Sequence, residues 1–341
     1  MRSRNSKGKK STTMTKILRL VTLSTTSIMV AALTACAPLS ELMGDDGRTV
    51  RVYSVAAPSQ NQRLEDAFNA SHPDINLKIT RGASDLVPKV DAEIATGADG
   101  ADIFIMSGDS WFLRNKENLV PVQGASAESY PDWGVDGFAP IVFYSPFSMI
   151  LWNTDTFPAG FKTWQDLLAP EVANRVGVRD TMSAVLAAYL QYLQDKNGMD
   201  YLPELAEQNP KFYPSLIPMA QAVASGEIGV AYTASPAVVR DLVNRGAPVA
   251  ATLIEDGFAS PFIAGVLEKS PRQDDAQIVM DYLLSPEGQQ VFNGDGDAGS
   301  PIDGLAGTIN TSQMRVLTEE NTPRELIAEW GRKLRDIFNR G

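Results

Sequence analysis

A single cysteine, Cys36, is the feature that most constrains how this chain of 341 residues can fold. One thiol allows no disulfide within the chain, so packing alone must hold the fold together. Roughly 300 residues follow Cys36, which exceeds one typical hydrophobic core. The length therefore predicts two lobes.

The segment before Cys36 is first basic and then apolar. It carries seven Lys or Arg residues and no Asp or Glu, and an apolar run from Ile17 to Leu33 leads up to the cysteine. This order is typical of a secretory signal. The ending Leu33-Thr34-Ala35-Cys36 resembles the lipobox of bacterial lipoproteins, in which the cysteine is lipidated.

The resemblance implies a signal peptide over 1–35, lipidation at Cys36, a tether over 36–47 and an extracytoplasmic protein held at the cell membrane. One alternative is an uncleaved membrane helix, but the polar residues 24–27 interrupt a run that is already short for a span. Another is that Cys36 is an ordinary buried thiol. Met14 is an alternative to Met1 as the start of the chain.

The charge of the chain argues against binding to nucleic acid. The net charge is −11, and without the seven basic residues of the signal, 23 basic residues face 41 acidic ones, for a net charge near −18. Such a surface repels phosphate backbones. We therefore expect no nucleic-acid partner.

Strand-like and helix-like segments alternate along the chain, which predicts an α/β fold with largely parallel sheets. The runs Thr49–Tyr53, Asn76–Thr80 and Ala101–Met106 read as strands with helices between them. Ligands gather at the carboxyl ends of strands in such sheets. Here these ends are Ser54–Pro58, Arg81–Ser84 and Ser107–Ser110.

Several polar residues stand where helices are predicted to begin. Ser59 and Gln62 fit a capping box, Asp180 and Thr181 precede a long helix, and Ser235 comes directly before Pro236. The segments Phe138–Tyr144 and Ser148–Asn153 are predicted to cross between the lobes, and Phe262–Leu267 to return.

The sequence gives no support for a catalytic site. The one histidine, His72, precedes Pro73 in a predicted surface turn. Gly294–Gly299 matches G-x-G-x-x-G, but it follows a helix and its two aspartates would repel a pyrophosphate. As a calcium loop it lacks the required glycine and glutamate, where Ala298 and Gly304 stand. We read it as a flexible glycine loop, and expect no catalytic residue, metal site or cofactor.

Four stretches resemble the extracellular solute-binding proteins of ABC importers, in the branch that includes ferric-iron, thiamine, phosphonate and polyamine binders. The most specific is Asp281–Gln290, where Ser285 would cap a helix, Pro286 start it and Gly288 allow close packing. The others are Ala101–Met106, Phe143–Asn153 and Ala224–Tyr232.

This resemblance implies a two-lobed fold of the periplasmic-binding-protein type II, with mixed sheets in each lobe and a hinge cleft between them. Lobe 1 would comprise 48–142 and 260–341, and lobe 2 would comprise 143–259. The implied function is capture of a small polar or charged solute, such as a ferric chelate or an organic anion, and delivery by a monomer to an ABC permease. A lipid-anchored hydrolase and a sensor that feeds a kinase are the alternatives.

The site that we predict combines strand ends and helix starts from both lobes. The expected ligand contacts are Ser59, Ser107, Asp109, Thr181, Ser183, Tyr232 and Ser235. Iron-binding members have adjacent tyrosines where this chain has Tyr232 followed by Thr233, and no histidine lies near the first strand. Direct capture of ferric ion is therefore disfavoured, although Tyr232 and Asp109 remain candidates for a chelated ion.

Overall fold

The computed structural model of the chain describes residues 48–83, 85–254, 257–316 and 322–338. All of them belong to one unit of the chain, Asp45–Gly341. The predicted signal peptide over 1–35, the lipidation at Cys36 and the tether over 36–47 concern residues outside this described part.

Two sheets organise the described residues. The first has seven strands in the order β2-β1-β3-β11-β5-β4, with β12 beside β11. Its strands are β1 Thr49–Ser54, β2 Asn76–Arg81, β3 Ile103–Ser107, β4 Trp133–Val135, β5 Ala139–Pro146, β11 Phe258–Val266 and β12 Arg315–Val316. The second has five strands in the order β10-β6-β9-β7-β8. Its strands are β6 Met149–Asn153, β7 Val176–Arg179, β8 Lys211–Tyr213, β9 Val230–Ala231 and β10 Val249–Leu253.

Both sheets are mixed. β1 is parallel to β2 and β3, whereas β11 is antiparallel to β3 and β5. In the second sheet β7 is parallel to β8 and β9, and β6 is antiparallel to β9 and β10. The α/β architecture predicted from the sequence is confirmed, and so are the mixed sheets that the family resemblance implied. The expectation of largely parallel sheets is wrong, because the strands next to the crossings between the sheets, β5, β6, β10 and β11, pair antiparallel with their neighbours.

Helices cover these sheets. They are α1 Pro58–Ser71, α2 Leu86–Thr96, α3 Ser110–Arg114, α4 Ala125–Glu128, α5 Ala184–Asn197, α6 Tyr201–Glu207, α7 Leu216–Ala224, α8 Pro236–Asn244, α9 Gln273–Leu284, α10 Pro286–Asn293 and α11 Arg324–Ile337. Short 3₁₀ helices lie at Lys116–Asn118, Trp164–Leu168 and Pro170–Val172.

Each sheet has its own hydrophobic core. Successive side chains of a strand point to opposite faces, so Ile103 and Ile105 pack in a cluster on one face of the first sheet and Phe104 packs in another. We call these two clusters together the first core. The second core surrounds the second sheet and includes Ile150 and Tyr189.

Two neighbouring connections carry the chain between the sheets. The segment from β5 to β6 passes through Phe147 and Ser148, and the segment from β10 to β11 ends at Phe258. The amide of Phe147 donates to the carbonyl of Phe258 at 2.8 Å, and the amide of Phe258 donates to Ser148 Oγ at 2.7 Å. The hydroxyl of Thr233 also donates to the Phe147 carbonyl at 2.6 Å.

The chain divides between the two sheets differently from the lobe boundaries read from the sequence. Residues 143–146 and 258–259, predicted for lobe 2, lie in β5 and β11 of the first sheet, because each strand continues as an unbroken buried run. α11, predicted for lobe 1, packs on α5 and buries Trp330 and Leu334 in the second core.

Two of the capping residues predicted from the sequence lie at helix starts in the structure, and two predictions are wrong. Ser285 caps α10, accepting from the amide of Gly288 at 3.1 Å, as predicted. Ser235 occupies the N-cap position of α8. The box at Ser59 is wrong, because α1 begins at Pro58 and Gln60 Oε1 accepts from the amide of Ala57 at 3.3 Å. Asp180 and Thr181 do not cap α5 either, because the N-cap residue of this helix is Ser183.

Candidate functional site

A cavity of about 400 Å³ lies where strand ends and helix starts of the two sheets face each other. One wall follows the carboxyl ends of β1, β2 and β3, and the other follows the ends of β7 and β8. Phe143 and Phe262, from the neighbouring strands β5 and β11, lie between the walls with Phe147. This is the edge at which parallel strands of α/β sheets present their ligand contacts.

Five of the predicted contacts line this one cavity. Ser107 and Asp109 lie on the side of the first sheet, and Thr181, Ser183 and Ser235 lie on the side of the second. Ser183 is the N-cap of α5 and its Oγ accepts from the amide of Leu186 at 3.2 Å. The structure therefore brings together residues that are distant in the sequence.

Ser59 and Tyr232 do not line the cavity. Ser59 is the second residue of α1, and its Oγ is buried. Tyr232 is fully buried in the second core, where the hydroxyl of Tyr189 donates to its carbonyl at 2.8 Å. Its ring meets that of Tyr189 edge to face at 5.5 Å. Because Tyr232 follows β9 on a side that faces the core, its side chain packs inward rather than towards the cavity.

Three arginines that we did not predict as ligand contacts do line the cavity: Arg81, Arg114 and Arg179. One carboxylate, Asp109, lines it with them. Among the residues that the structure describes, none of the three arginines forms an ion pair with a carboxylate at hydrogen-bonding distance. The lining therefore carries a net positive charge in a chain whose overall charge is −11.

Arg179 is the most deeply placed of the three. It ends β7, and its Nε is buried without a hydrogen-bond partner. Burial lowers the pKa of its guanidinium, and the nearby Tyr232 and Asp180 oppose this shift only in part. A buried cation without full hydrogen bonding is unfavourable. Arg179 therefore lines the cavity with one hydrogen-bond donor unused.

Arg81 lies at the other wall and is exposed. It ends β2, and its Nε donates to the carbonyl of Ala56 at 3.3 Å. Partial desolvation by the neighbouring atoms lowers the pKa of the Arg81 guanidinium, while Asp85 raises it. The sequence held a signal for both arginines, because Arg81 and Arg179 each stand at the carboxyl end of a parallel strand.

Four helices of nine or more residues begin at the cavity. Their N-cap residues, Ala57, Ser183, Ser215 and Ser235, all line it. The side chains of Ser215 and Ser235 form no capping hydrogen bond, so they leave the first-turn amides of α7 and α8 uncapped. Such amides and the helix dipole favour negative charge. They add to the positive potential of the arginines.

Comparison with known families shows where the chain belongs. Residues 50–296 match the model of a family described as bacterial extracellular solute-binding protein. The chain belongs to this family. The family description agrees with the extracytoplasmic location expected from the sequence.

Several solved structures have a fold similar to that of this solute-binding protein. The substrate-binding protein of an ABC transporter from Agrobacterium tumefaciens has a TM-score of 0.70 at 16% identity, over 85% of this chain and 96% of that one. Iron-bound HitA from Pseudomonas aeruginosa scores 0.64 at 17% identity, over 85% and 99%. AfuA from Actinobacillus pleuropneumoniae, with fructose 6-phosphate bound, scores 0.61 at 18% identity, over 85% and 96%.

A curated relative covers less of the molecule. An uncharacterised protein of Haemophilus influenzae is 29% identical over 145 residues, which is 40% of this chain. The chain spans about two fifths (41%) of the length of that protein.

Within the described ranges of this solute-binding protein, no helix combines the length and apolar character needed to cross a membrane. The same ranges contain no group of three or more His, Cys, Asp and Glu side chains placed to hold a metal ion.

Proposed function

We propose that this solute-binding protein captures a small organic anion, carrying a phosphate, phosphonate or carboxylate group, and delivers it to an ABC importer. The observation that carries the proposal is the lining of the cavity by Arg81, Arg114 and Arg179, against one carboxylate, Asp109, among the residues that the structure describes. The predicted contacts Ser107, Thr181, Ser183 and Ser235 would supply the hydrogen bonds that orient the solute.

Arg179 provides the strongest argument for an anion. Its buried Nε lacks a partner, and a hydrogen bond to a charged group contributes about 1.5–3 kcal/mol. A bound anion within reach of this nitrogen would gain this interaction. The first-turn amides of α7 and α8 would meet the same negative charge.

Cationic solutes fit this cavity poorly. Polyamines and thiamine would face three arginines and be held by one carboxylate. A bare ferric ion would meet the same repulsion, and Tyr232, the residue considered for iron, is buried in the second core. A ferric chelate fits only if its net charge is negative.

Matched pairs of solutes test the proposal. We would measure the thermal shift and binding heat of the full chain with two pairs of an anion and a neutral solute. These are fructose 6-phosphate with fructose, and phenylphosphonate with benzyl alcohol. Ferric citrate, spermidine and thiamine complete the panel. A solute at 100 times its Kd stabilises the fold by about 2.7 kcal/mol. We expect only the anions to stabilise the fold. A response confined to spermidine or thiamine would overturn the proposal. Turnover of a bound compound would favour the hydrolase alternative.

Two arginines, one at the end of β7 and one just before it, provide the variants. Arg179→Met should weaken binding of the anion about 10- to 100-fold, because it removes a charge-assisted hydrogen bond. Arg175→Met is the matched control, since Arg175 is an exposed residue just before β7 and does not line the cavity. Equal affinities for the two variants would remove Arg179 from the site.

The lipid anchor at Cys36 belongs to the same proposal. Acyl chains contribute about 0.8 kcal/mol for each buried methylene group, which would keep the protein near its permease. Cys36→Ala should move the protein from the membrane fraction to the soluble fraction and abolish acyl labelling. Neighbouring genes for a permease and an ATPase would support delivery to an importer, whereas a neighbouring sensor kinase would support the sensor alternative.

A further inference from the structure

The glycine-rich segment Gly294–Gly299 holds a buried carboxylate. It follows α10 and turns through positive φ at Asp295 (59°) and Gly296 (75°). This turn places the side chain of Asp297 fully inside the protein, with an exposure of 0%. The segment that matched a phosphate-binding motif therefore presents negative charge instead.

Arg63 of α1 holds Asp297 on the side of the first core. Its Nε donates to the carbonyl of Val291 at 3.0 Å, and one terminal nitrogen donates to the carbonyl of Phe292 at 3.3 Å and to Asp297 Oδ2. Phe292 and Ala298 both pack in the first core. Arg63 and Asp297 therefore form a unit on one side of the molecule.

Arg240 of α8 reaches the same carboxylate from the other side. Its terminal nitrogens donate to Asp297 Oδ2 at 2.5 Å and to Asp295 Oδ2 at 2.9 Å. α8 packs on β10 of the second sheet, and its Val238 is part of the second core. The Arg240–Asp297 contact therefore bridges the elements of the two sheets.

This bridge lies close to the cavity but outside it. α8 has its N-cap, Ser235, in the cavity wall, and Arg240 is five residues further along the helix. Neither Arg240 nor Asp297 lines the cavity. A movement of α8 away from α1 would therefore open the cavity wall at Ser235 and break the Arg240–Asp297 ion pair at the same time.

We propose that Arg240 and Asp297 form a latch that holds the two sheets together beside the cavity and so raises its affinity for solute, with both acting as positioning residues. The effect on affinity rests on the proposed function, whereas the latch itself does not. The apparent Kd of a two-state protein rises as the population of its binding-competent state falls. Loss of the latch lowers that population.

The latch is built to open at low cost. When Arg240 leaves, Asp297 retains its bond to Arg63, so no unpaired carboxylate remains buried. In the latched arrangement Arg240 Nε and Asp297 Oδ1 are buried without partners, which offsets part of the gain from the ion pair. A contact with such a small net advantage suits a hinge that must open and close.

Distance measurements in the absence of solute test the latch directly. Spin labels would be attached at Lys78→Cys in β2 and Lys162→Cys, both exposed positions on the two sides, in the full chain with Cys36→Ala. Arg240→Met should raise the population of long interlabel distances at least about threefold. Arg245→Met, at the end of the same helix, is the matched control and should leave the distribution unchanged.

A milder variant covers the case in which Arg240→Met does not fold. Asp295→Asn removes the negative charge of one partner of Arg240 at an exposed position and should change the distribution in the same direction by less. An unchanged distribution in whichever of these variants folds would overturn the latch.

The effect on affinity is measured separately, as the dissociation rate of fructose 6-phosphate. We expect dissociation about tenfold faster from Arg240→Met than from the unmodified chain, with a similar association rate. Equal dissociation rates would overturn the effect on affinity. If the unmodified chain binds no anion at all, the proposed function fails, while the distance measurement still decides whether the latch exists.

Discussion

Phe143 and Phe262 stack face to face, with ring centroids 4.1 Å apart and planes inclined by 18°. They belong to β5 and β11, the strands of the first sheet that lead into and out of the second. The pair therefore joins the two crossing strands and lines the cavity between its walls. The same ring pair therefore stabilises the fold and shapes the cavity.

Removal of this stack should be costly. Phe262→Ala should lower the free energy of unfolding by about 3–5 kcal/mol, because it leaves a void beside buried aromatic rings. Urea unfolding followed by circular dichroism measures the change. Leu113→Ala is the control at an exposed apolar residue, with a change within about 0.5 kcal/mol. A similar loss in both variants would contradict the role of the stack.

Two helical glycines should respond in opposite directions to the same substitution. A Cβ at Gly288 in α10 would lie 1.9 Å from the carbonyl oxygen of Tyr282, so Gly288→Ala should cost about 3 kcal/mol. At Gly331 in α11 the nearest atom belongs to Met182 at 3.9 Å. Gly331→Ala should stabilise the protein by about 0.5–1 kcal/mol through helix propensity. Unfolding midpoints of both variants check the prediction.

Tyr232→Phe should leave solute affinity unchanged. The Tyr232 hydroxyl is buried without a hydrogen-bond partner and does not reach the cavity. Loss of an unsatisfied buried hydroxyl should be neutral or stabilise the fold by up to about 1 kcal/mol. Calorimetry with the best anion of the panel and a thermal scan measure the two quantities. A weaker affinity would return Tyr232 to the site.

The two cavity arginines should differ in their sensitivity to salt. Arg81 is exposed, whereas the Nε of Arg179 is buried, and salt screens exposed charges more strongly. The loss of anion affinity in Arg81→Gln should shrink as NaCl rises from about 20 to about 300 mM. The loss in Arg179→Gln should persist. Parallel salt dependence in the two variants would contradict the difference in depth.

Asp99 should contribute to stability only above its low pKa. Hydrogen bonds from Arg272 at 2.5 Å and Arg51 at 2.8 Å lower the pKa of this carboxyl from 3.8 to about 2. A carboxyl with a depressed pKa in the folded state stabilises the fold above its unfolded pKa, and this contribution disappears as the pH falls from about 4 to about 2. The stability difference between the unmodified chain and Asp99→Asn should follow this course. Titration of Asp99 near 3.8 by NMR would disprove it.

Local patterns were sufficient to predict much of the architecture. The alternation of strand-like and helix-like runs predicted the α/β fold, since period and capping depend on neighbours a few residues apart, but it overestimated how many strands run parallel. Ser285, Pro286 and Gly288 therefore occupy the structural positions inferred for them. The rule that ligands gather at strand ends pointed to Ser107 and Asp109, which line the cavity.

Tertiary structure alone decided the depth and the partners of the side chains. Tyr232 and Arg179 both stand at strand ends in the sequence, yet Tyr232 packs into the second core while Arg179 borders the cavity. Arg240 and Asp297 are 57 residues apart and meet only because α8 approaches the loop after α10. Burial and charge pairing depend on contacts between distant segments, whereas the sequence by itself determined the order of strands and helices and the absence of disulfides.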